Sequence, residues 1–474
     1  MIERVSMQRA ATLTALGATL ALGGCMSFIP AYQRPAAPVA AAYAPELLPA
    51  GAAGAPAAAD IDWQHYFTDA RLQRLVGIAL ANNRDLRVAA LNIEQARAAY
   101  QIKRADELPS VGAGLSAQRL AFGGGGLINV YSAGLQLTGY ELDLFGRVRA
   151  LSQAALAQYL ATEEARKTVQ IALVASVANT YVSLLADDEL LRVTRETLKT
   201  REDSFKLIQL KFDNGASSEL DLRQAEQLLE GARVALAQAR RQRALDANAL
   251  VLLLGQSVPD DLPPALPLAA QQAVADLPAG LPSELLARRP DVLAAEQLLR
   301  SANANIGAAR AAFFPRITLT ANAGTASTAL SGLFKSGSFA FTGSATLLQP
   351  IFDAGRNQAG LEVAKVNKDI AIAQYEKAIQ TAFREVSDAL AGRATLGEQL
   401  RAQAAQTKAA QVSYKLADLR YRNGASSYLD LLDAQRSLFA AQQALVQVQA
   451  LQVQNLVTLY KVLGGGWTEP AAAN

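Results

Sequence analysis

The chain has 474 residues, a formal net charge of +3, 51% hydrophobic residues and only 6% aromatic ones. That balance excludes a strongly basic nucleic-acid surface, and an Ala-rich, aromatic-poor apolar fraction favours long helices with thin seams over a thick globular core. One Cys, one His and three Met supply no nucleophile–base pair and no metal-ligand cluster, so the inventory points away from an enzyme and from a metal site.

Residues 1–24 read as a signal peptide. Arg4 and Arg9 precede an apolar run, ATLTALGATLAL, that is too short to span a bilayer permanently. LGGC at 22–25 resembles the bacterial lipobox, which makes Cys25 the acylated first residue of the mature chain; Met26 follows it, not Asp, which fits export to the outer membrane. With Cys25 acylated, no free thiol remains, and this covalent lipid is the one non-protein group expected. Residues 25–68 are expected to be a lipid-anchored extended segment. Pro30, Pro35, Pro38, Pro45, Pro49 and Pro56 lie among Ala and Gly there, as in a tether with no core of its own.

The remainder reads as two structural repeats, 69–258 and 283–464, separated by a Pro-rich connector at 259–282 and followed by a tail at 465–474. NGASSELDL (214–222) returns as NGASSYLDL (423–431), an offset of 423 − 214 = 209. At that offset Lys206–Gly255 aligns on Lys415–Gly464 without a gap, with 20 identical residues in 50. An internal duplication explains this most simply.

In each repeat a segment of alternating pattern comes first. In 110–141, Val111, Ala113 and Leu115 alternate with small residues, and Tyr131, Ala133, Leu135 and Leu137 do so after the GGGG loop at 123–126. In 316–349, Ile317, Leu319, Ala321 and Ala323 do the same, then Phe339, Phe341, Gly343, Ala345 and Leu347. Strands of about ten residues, apolar on one side and small or polar on the other, suit a transmembrane barrel around water. Four strands cannot close such a barrel, whereas three copies give twelve, so a homotrimer is expected.

Long helices follow. No proline interrupts 110–258 or 351–469. Val177, Leu184, Leu191, Leu198, Phe205 and Phe212 recur every seven residues, as do Leu222, Leu229, Leu236, Arg243 and Leu250, and then Leu431, Leu438, Leu445, Gln452 and Leu459. A helix from about Arg147 to Phe212 would be roughly 100 Å long. Each Asn-Gly stops one helix, and Ser218 with Asp221, or Ser427 with Asp430, caps the next. Tips at 213–218 and 422–427 thus close two long helical hairpins. His65 in DWQHYF reads as structural, and Arg240, Arg241 and Arg243 read as a solvated helix face.

YELDLFGR (140–147), ARRPDVLAAE (287–296), AAFFPRITLT (311–320), LLQPIFDAGR (347–356), NGASSYLDLLDAQR (423–436) and LYKVLGGGW (459–467) resemble the outer membrane factors. These are the TolC-like channels, here the lipoprotein branch of OprM and NodT type, and the resemblance covers about residues 60–467. It implies a mainly α fold with a trimeric twelve-stranded transmembrane β-barrel, four strands per chain, continuous with a long α-helical periplasmic barrel. The implied function is a passive exit duct in the outer membrane for a tripartite efflux pump or secretion system, receiving substrates from an inner-membrane transporter, of RND type for efflux, through a periplasmic membrane-fusion adaptor.

By the same resemblance, Asn214, Gly215, Ala216 and Ser217, and Asn423, Gly424, Ala425 and Ser426, are adaptor-docking tips. Leu429, Asp430, Asp433 and Arg436 would line the periplasmic aperture, while Asp221 and Tyr421 would latch inner to outer hairpin. Asp430 also suits a helix start, where acids oppose the macrodipole. Ser426 stands where the family has a gating arginine, and Arg422 or Arg436 is the available substitute. The rival expectation is a lipid-anchored periplasmic coiled-coil adaptor or scaffold without a pore, against which the paired alternating strands argue.

Overall fold

The computed structural model describes residues 27–44, 46, 60–122, 126–271 and 288–467. The signal peptide, Cys25, most of the GGGG loop, the later part of the connector and the end of the tail lie outside the described residues.

In chain order the elements are α1 (Trp63–Tyr66), α2 (Ala70–Asn82), α3 (Arg84–Ala105), β1 (Val111–Phe122), β2 (Gly126–Leu142), α4 (Arg147–Asp213), α5 (Glu219–Leu254), α6 (Pro290–Ala311), β3 (Arg316–Ser327), β4 (Phe339–Leu348), α7 (Arg356–Arg422) and α8 (Tyr428–Val462). The repeat is visible in these bounds. α7 begins and ends 209 residues after α4 (356 − 147 and 422 − 213), and both helices have 67 residues. α8 starts 209 residues after α5 (428 − 219).

The chain divides into two compact units. One comprises the described residues within 1–36, 92–163 and 294–376, and the other those within 37–91, 164–293 and 377–474. The first holds a four-stranded antiparallel sheet in the order β1-β2-β3-β4, so the two repeats meet at the β2–β3 pairing.

Cross-strand neighbours in this sheet share a face. Val111, Leu137, Ala321 and Gly343 form one row, and Ala113, Leu135, Ala323 and Phe341 the next. The opposite face carries Gly112, Gln136, Asn322 and Thr342, with the Ser116 and Ser132 hydroxyls 2.7 Å apart. The apolar side is bare: Leu115 is 80% exposed and Phe339 75%. Such a surface is unstable in water and matches a hydrocarbon phase.

A bulge between Leu137 and Tyr140 shifts the β2–β3 register, with Gly139 at φ +69°. The extra residue reverses the parity of β2, so Tyr140 and Leu142 pair with Leu319 and Ile317 and stay on the apolar face.

The second unit is built on helix packing. Leu222, Leu229, Leu236 and Leu250 of α5 are buried, as are Leu431 and Leu459 of α8 and Val177 and Leu191 of α4. Arg243, the polar break in the α5 stripe, has its Nε 2.5 Å from the Asp188 carboxylate of α4. It is therefore an inter-helix ion pair, not simply part of a solvated face.

The N-terminal segment departs from a bare tether. Residues 28–34 have no regular secondary structure, yet Tyr43 is only 3% exposed and stacks on Phe383 of α7, and Trp63–Tyr66 form a helical turn whose Tyr66 ring lies 3.9 Å from Tyr460. Aromatic rings inserted among the prolines give this segment something to bury, which its proline count conceals. His65 is exposed.

Candidate functional site

The hairpin ends are built bond for bond alike. At the first, Gly215 N–H donates to Phe212 O (2.9 Å) and Ala216 N–H to Lys211 O (2.7 Å); at the second, Gly424 N–H donates to Tyr421 O (3.0 Å) and Ala425 N–H to Arg420 O (2.8 Å). This is the Schellman pattern, and it needs the left-handed conformation that Gly215 (φ +74°) and Gly424 (φ +71°) adopt. Asn214 and Asn423 each donate a side-chain amide hydrogen bond to a carbonyl four residues back, both at 2.7 Å. Ser218 and Asp221 form a capping box on α5, and Ser427 and Asp430 form one on α8.

The side chains at the tips differ. Asn214, Gly215, Ala216, Asn423, Gly424 and Ala425 are exposed, while Ser217 and Ser426 are half-buried. Ser217 Oγ donates to Asp221 Oδ2 (3.2 Å), whereas the buried Ser426 hydroxyl has no partner among the described residues.

Just behind the tips the hairpins share a core of Ile208, Leu222, Ala225, Leu228, Tyr428, Leu431 and Leu432, with Phe205, Tyr414, Ala417 and Tyr421 against it. Burial pushes the Tyr428 hydroxyl well above the usual tyrosine range, assisted by the nearby Tyr421 and Asp221. α8 therefore turns Tyr428, Leu431, Leu432 and Gln435 inward, and helical periodicity leaves Leu429, Asp430, Asp433 and Arg436 on its exposed side. All four expected aperture residues thus lie on one open face. Asp430 is also engaged as a cap, its carboxylate accepting the Ser427 N–H (3.3 Å). Asp433 has no ion-pair partner among the described residues.

Of the two expected latch residues, Tyr421 reaches the other hairpin and Asp221 bonds within its own. Asp221 is committed to its own capping box, and the Tyr421 hydroxyl accepts from Lys211 Nζ (3.2 Å), whose ammonium also sits 4.3 Å from the Tyr421 ring centre. A cation at the end of α4 thus ties the two hairpins through Tyr421. Arg422, considered as a gating arginine, is held by Asp418 (2.9 Å). Arg436 is the exposed arginine left on the aperture face.

Sequence reading misses a buried, mostly polar line in α4. Asp187, Thr194, Arg201 and Ile208 are all buried and, like the apolar stripe, recur every seven residues. Arg201 donates to Leu228 O (3.0 Å) and stacks on Phe439, and burial followed by the charge of Arg436 lowers its proton affinity. The missed signal is the companion heptad position, which carries polar side chains at three of these four places.

A one-sided apolar sheet with unpaired edges, joined to helical hairpins with duplicated tips, defines the protomer of an outer membrane channel. The outer membrane efflux protein family model matches residues 75–256 and 281–465, and the chain belongs to that family. It is similar to the probable efflux pump outer membrane protein TtgC of Pseudomonas putida, at 51% identity over 461 residues and 94% of each chain. It is also similar to the outer membrane protein OprJ of Pseudomonas aeruginosa, at 47% identity over 468 residues and 96% of each chain. Among solved structures, the open-state MtrE outer membrane channel of Neisseria gonorrhoeae matches with a TM-score of 0.85 and 41% identity, covering 93% of this chain and 98% of that one.

Proposed function

We propose that the protein is the passive outer membrane duct of a tripartite efflux system and performs no chemistry of its own. Three copies would close a twelve-stranded barrel by pairing the free edges of β1 and β4. The duplicated tips would meet a periplasmic adaptor, through which an inner-membrane transporter of RND type delivers cargo. A lipid on Cys25 would add a second anchor beside the barrel. Related proteins are named for toluene efflux and for antibiotic efflux, and small organic compounds are the cargo class proposed here.

The observation that carries this reading is the run of cross-strand rows, apolar on one face and small or polar on the other through all four strands. A scaffold without a pore has no use for such a sheet. The test is conductance: the purified protein added to a planar lipid bilayer should give discrete channel steps. Vesicle binding with no conductance would overturn the duct and favour the scaffold.

A further inference from the structure

Between Cys25 and the folded body lies a segment whose prolines suggest a loose tether. Residues 28–34 instead run along one face of α6 and just past its end, in the opposite direction to the helix.

Glu296, 2% exposed, accepts from Tyr32 Oη (3.1 Å), from Arg34 Nε (3.2 Å) and Nη2 (2.5 Å), and from Arg300 Nη2 (2.9 Å). The Arg300 guanidinium lies 4.8 Å from the Tyr32 ring centre. Asn303 donates to Pro30 O (2.8 Å) and Arg310 to Phe28 O (3.3 Å). A Cβ at Gly307 would come within 2.5 Å of Ile29 Cγ1 and 2.9 Å of Ile29 N, so only glycine admits the strap there. Phe28 stacks on Phe314 at 4.5 Å, and Phe314 stacks in turn on Phe145 at 5.0 Å.

The receiving positions are 296, 300, 303, 307, 310 and 314, alternating steps of four and three. The first five lie on one face of α6, and 314 follows just past its end. Burial alone would raise the Glu296 carboxyl, yet its hydrogen bonds and ion pairs with Arg34 and Arg300 hold it below the usual range, so it stays charged as a clasp. Tyr375 of α7 faces the same cluster.

The strap ends at the Phe28–Phe314–Phe145 stack, where β3 begins and β2 has just ended. Aromatic clusters at strand ends mark the membrane–water interface in barrels of this kind. Cys25 precedes Phe28 by three residues, which reach at most about 10 Å. We propose that Glu296 and the α6 face seat the N-terminal strap so that the lipid on Cys25 is delivered to the aromatic base of the sheet, fixing lipid anchor and barrel at one membrane level. Glu296 is then a positioning residue for the anchor. The inference rests on the acylation of Cys25 proposed above.

A nitroxide at Ser27→Cys tests it, because Ser27 is exposed and the acylated mature chain has no other free thiol. In the full-length protein reconstituted in phosphatidylcholine vesicles, the label should be immobilised and relaxed by oxygen dissolved in the bilayer. Glu296→Gln, and separately Arg34→Gln from the strap side, should mobilise it roughly tenfold or more while the acylated mass of the N-terminus is unchanged. The Arg34 variant leaves α6 untouched, so a folding defect of Glu296→Gln does not decide the matter. Equal immobility in both variants overturns the clasp, and an immobile wild-type label shielded from bilayer oxygen overturns the membrane seat. Absence of the acyl mass in the wild-type protein instead removes the lipid reading, and label mobility still reports whether the strap is docked.

Discussion

Among single residues, Asp187 carries the clearest pH dependence. Its carboxyl is pushed up to about 7, first by burial, then by the hydrogen bond and charge of Asp246 and the charge of Asp188, with Arg243 acting in the other direction. The folded chain therefore holds a proton that the unfolded chain releases near pH 4. The resulting stability is fully present below about pH 4 and is lost as pH rises through about 7. Asp187→Asn should flatten this slope and stabilise the protein at pH 8 by on the order of 2 kcal/mol, since the amide needs no proton to stay neutral. Helical circular dichroism melts from pH 5 to pH 8 measure it, and an unchanged slope in the variant refutes the assignment. The sequence shows that Asp187 lies in a helix but not that it is buried, because one apolar heptad line leaves its neighbour ambiguous until a partner helix is in place. Lys211 escaped reading for a similar reason: its contact with Tyr421 joins residues 210 positions apart.

At the scale of elements, the two hairpins were legible because helix stops and starts are local chemistry. Asn-Gly followed by Ser-x-x-Asp specifies a left-handed residue and a cap within five positions, and both boxes form. The strand alternation was legible too, whereas the bulge at Gly139 was not, since its consequence appears only against β3. Replacing both Gly215 and Gly424 by Val should strain each tip by about 1–2 kcal/mol, enough to distort the turns while the shared core behind them keeps the helices packed. Crosslinking to the adaptor and drug resistance should both fall, with trimer yield maintained. Normal crosslinking in the double variant would show that the tips do not dock. Gly139→Val tests the bulge separately: without a residue tolerant of φ +69° the parity of β2 is at risk, and barrel insertion should drop although the hairpins fold.

For the whole molecule, the duplication announced itself in the 209-residue offset, and the family motifs proved to be joints. Glu141 of YELDLFGR holds Arg147 and Arg316, and Glu296 of ARRPDVLAAE holds the N-terminal strap. Motif recognition located these residues without giving all their partners: Arg147 lies in the same motif as Glu141, but Arg316 and Arg34 come from distant parts of the sequence. The aperture poses the same problem, because one chain offers only an open face of α8. In the proposed trimer a three-fold axis would bring three Asp433 carboxylates around one constriction, with Leu429 and Asp430 beside them. Their summed potential should draw cations and hold back anions. Asp433 caps nothing and pairs with nothing among the described residues, so Asp433→Asn should leave the melting temperature nearly unchanged while lowering cation preference. Asp430→Asn differs, since it also weakens the α8 capping box and should cost about 1 kcal/mol. Reversal potentials in a planar bilayer across a tenfold KCl gradient separate the two roles. Asp433→Asn should move the potential toward zero, and the Asp430→Asn/Asp433→Asn double variant further still. A double variant with the wild-type reversal potential would falsify the acidic ring and leave Asp430 as a helix cap alone.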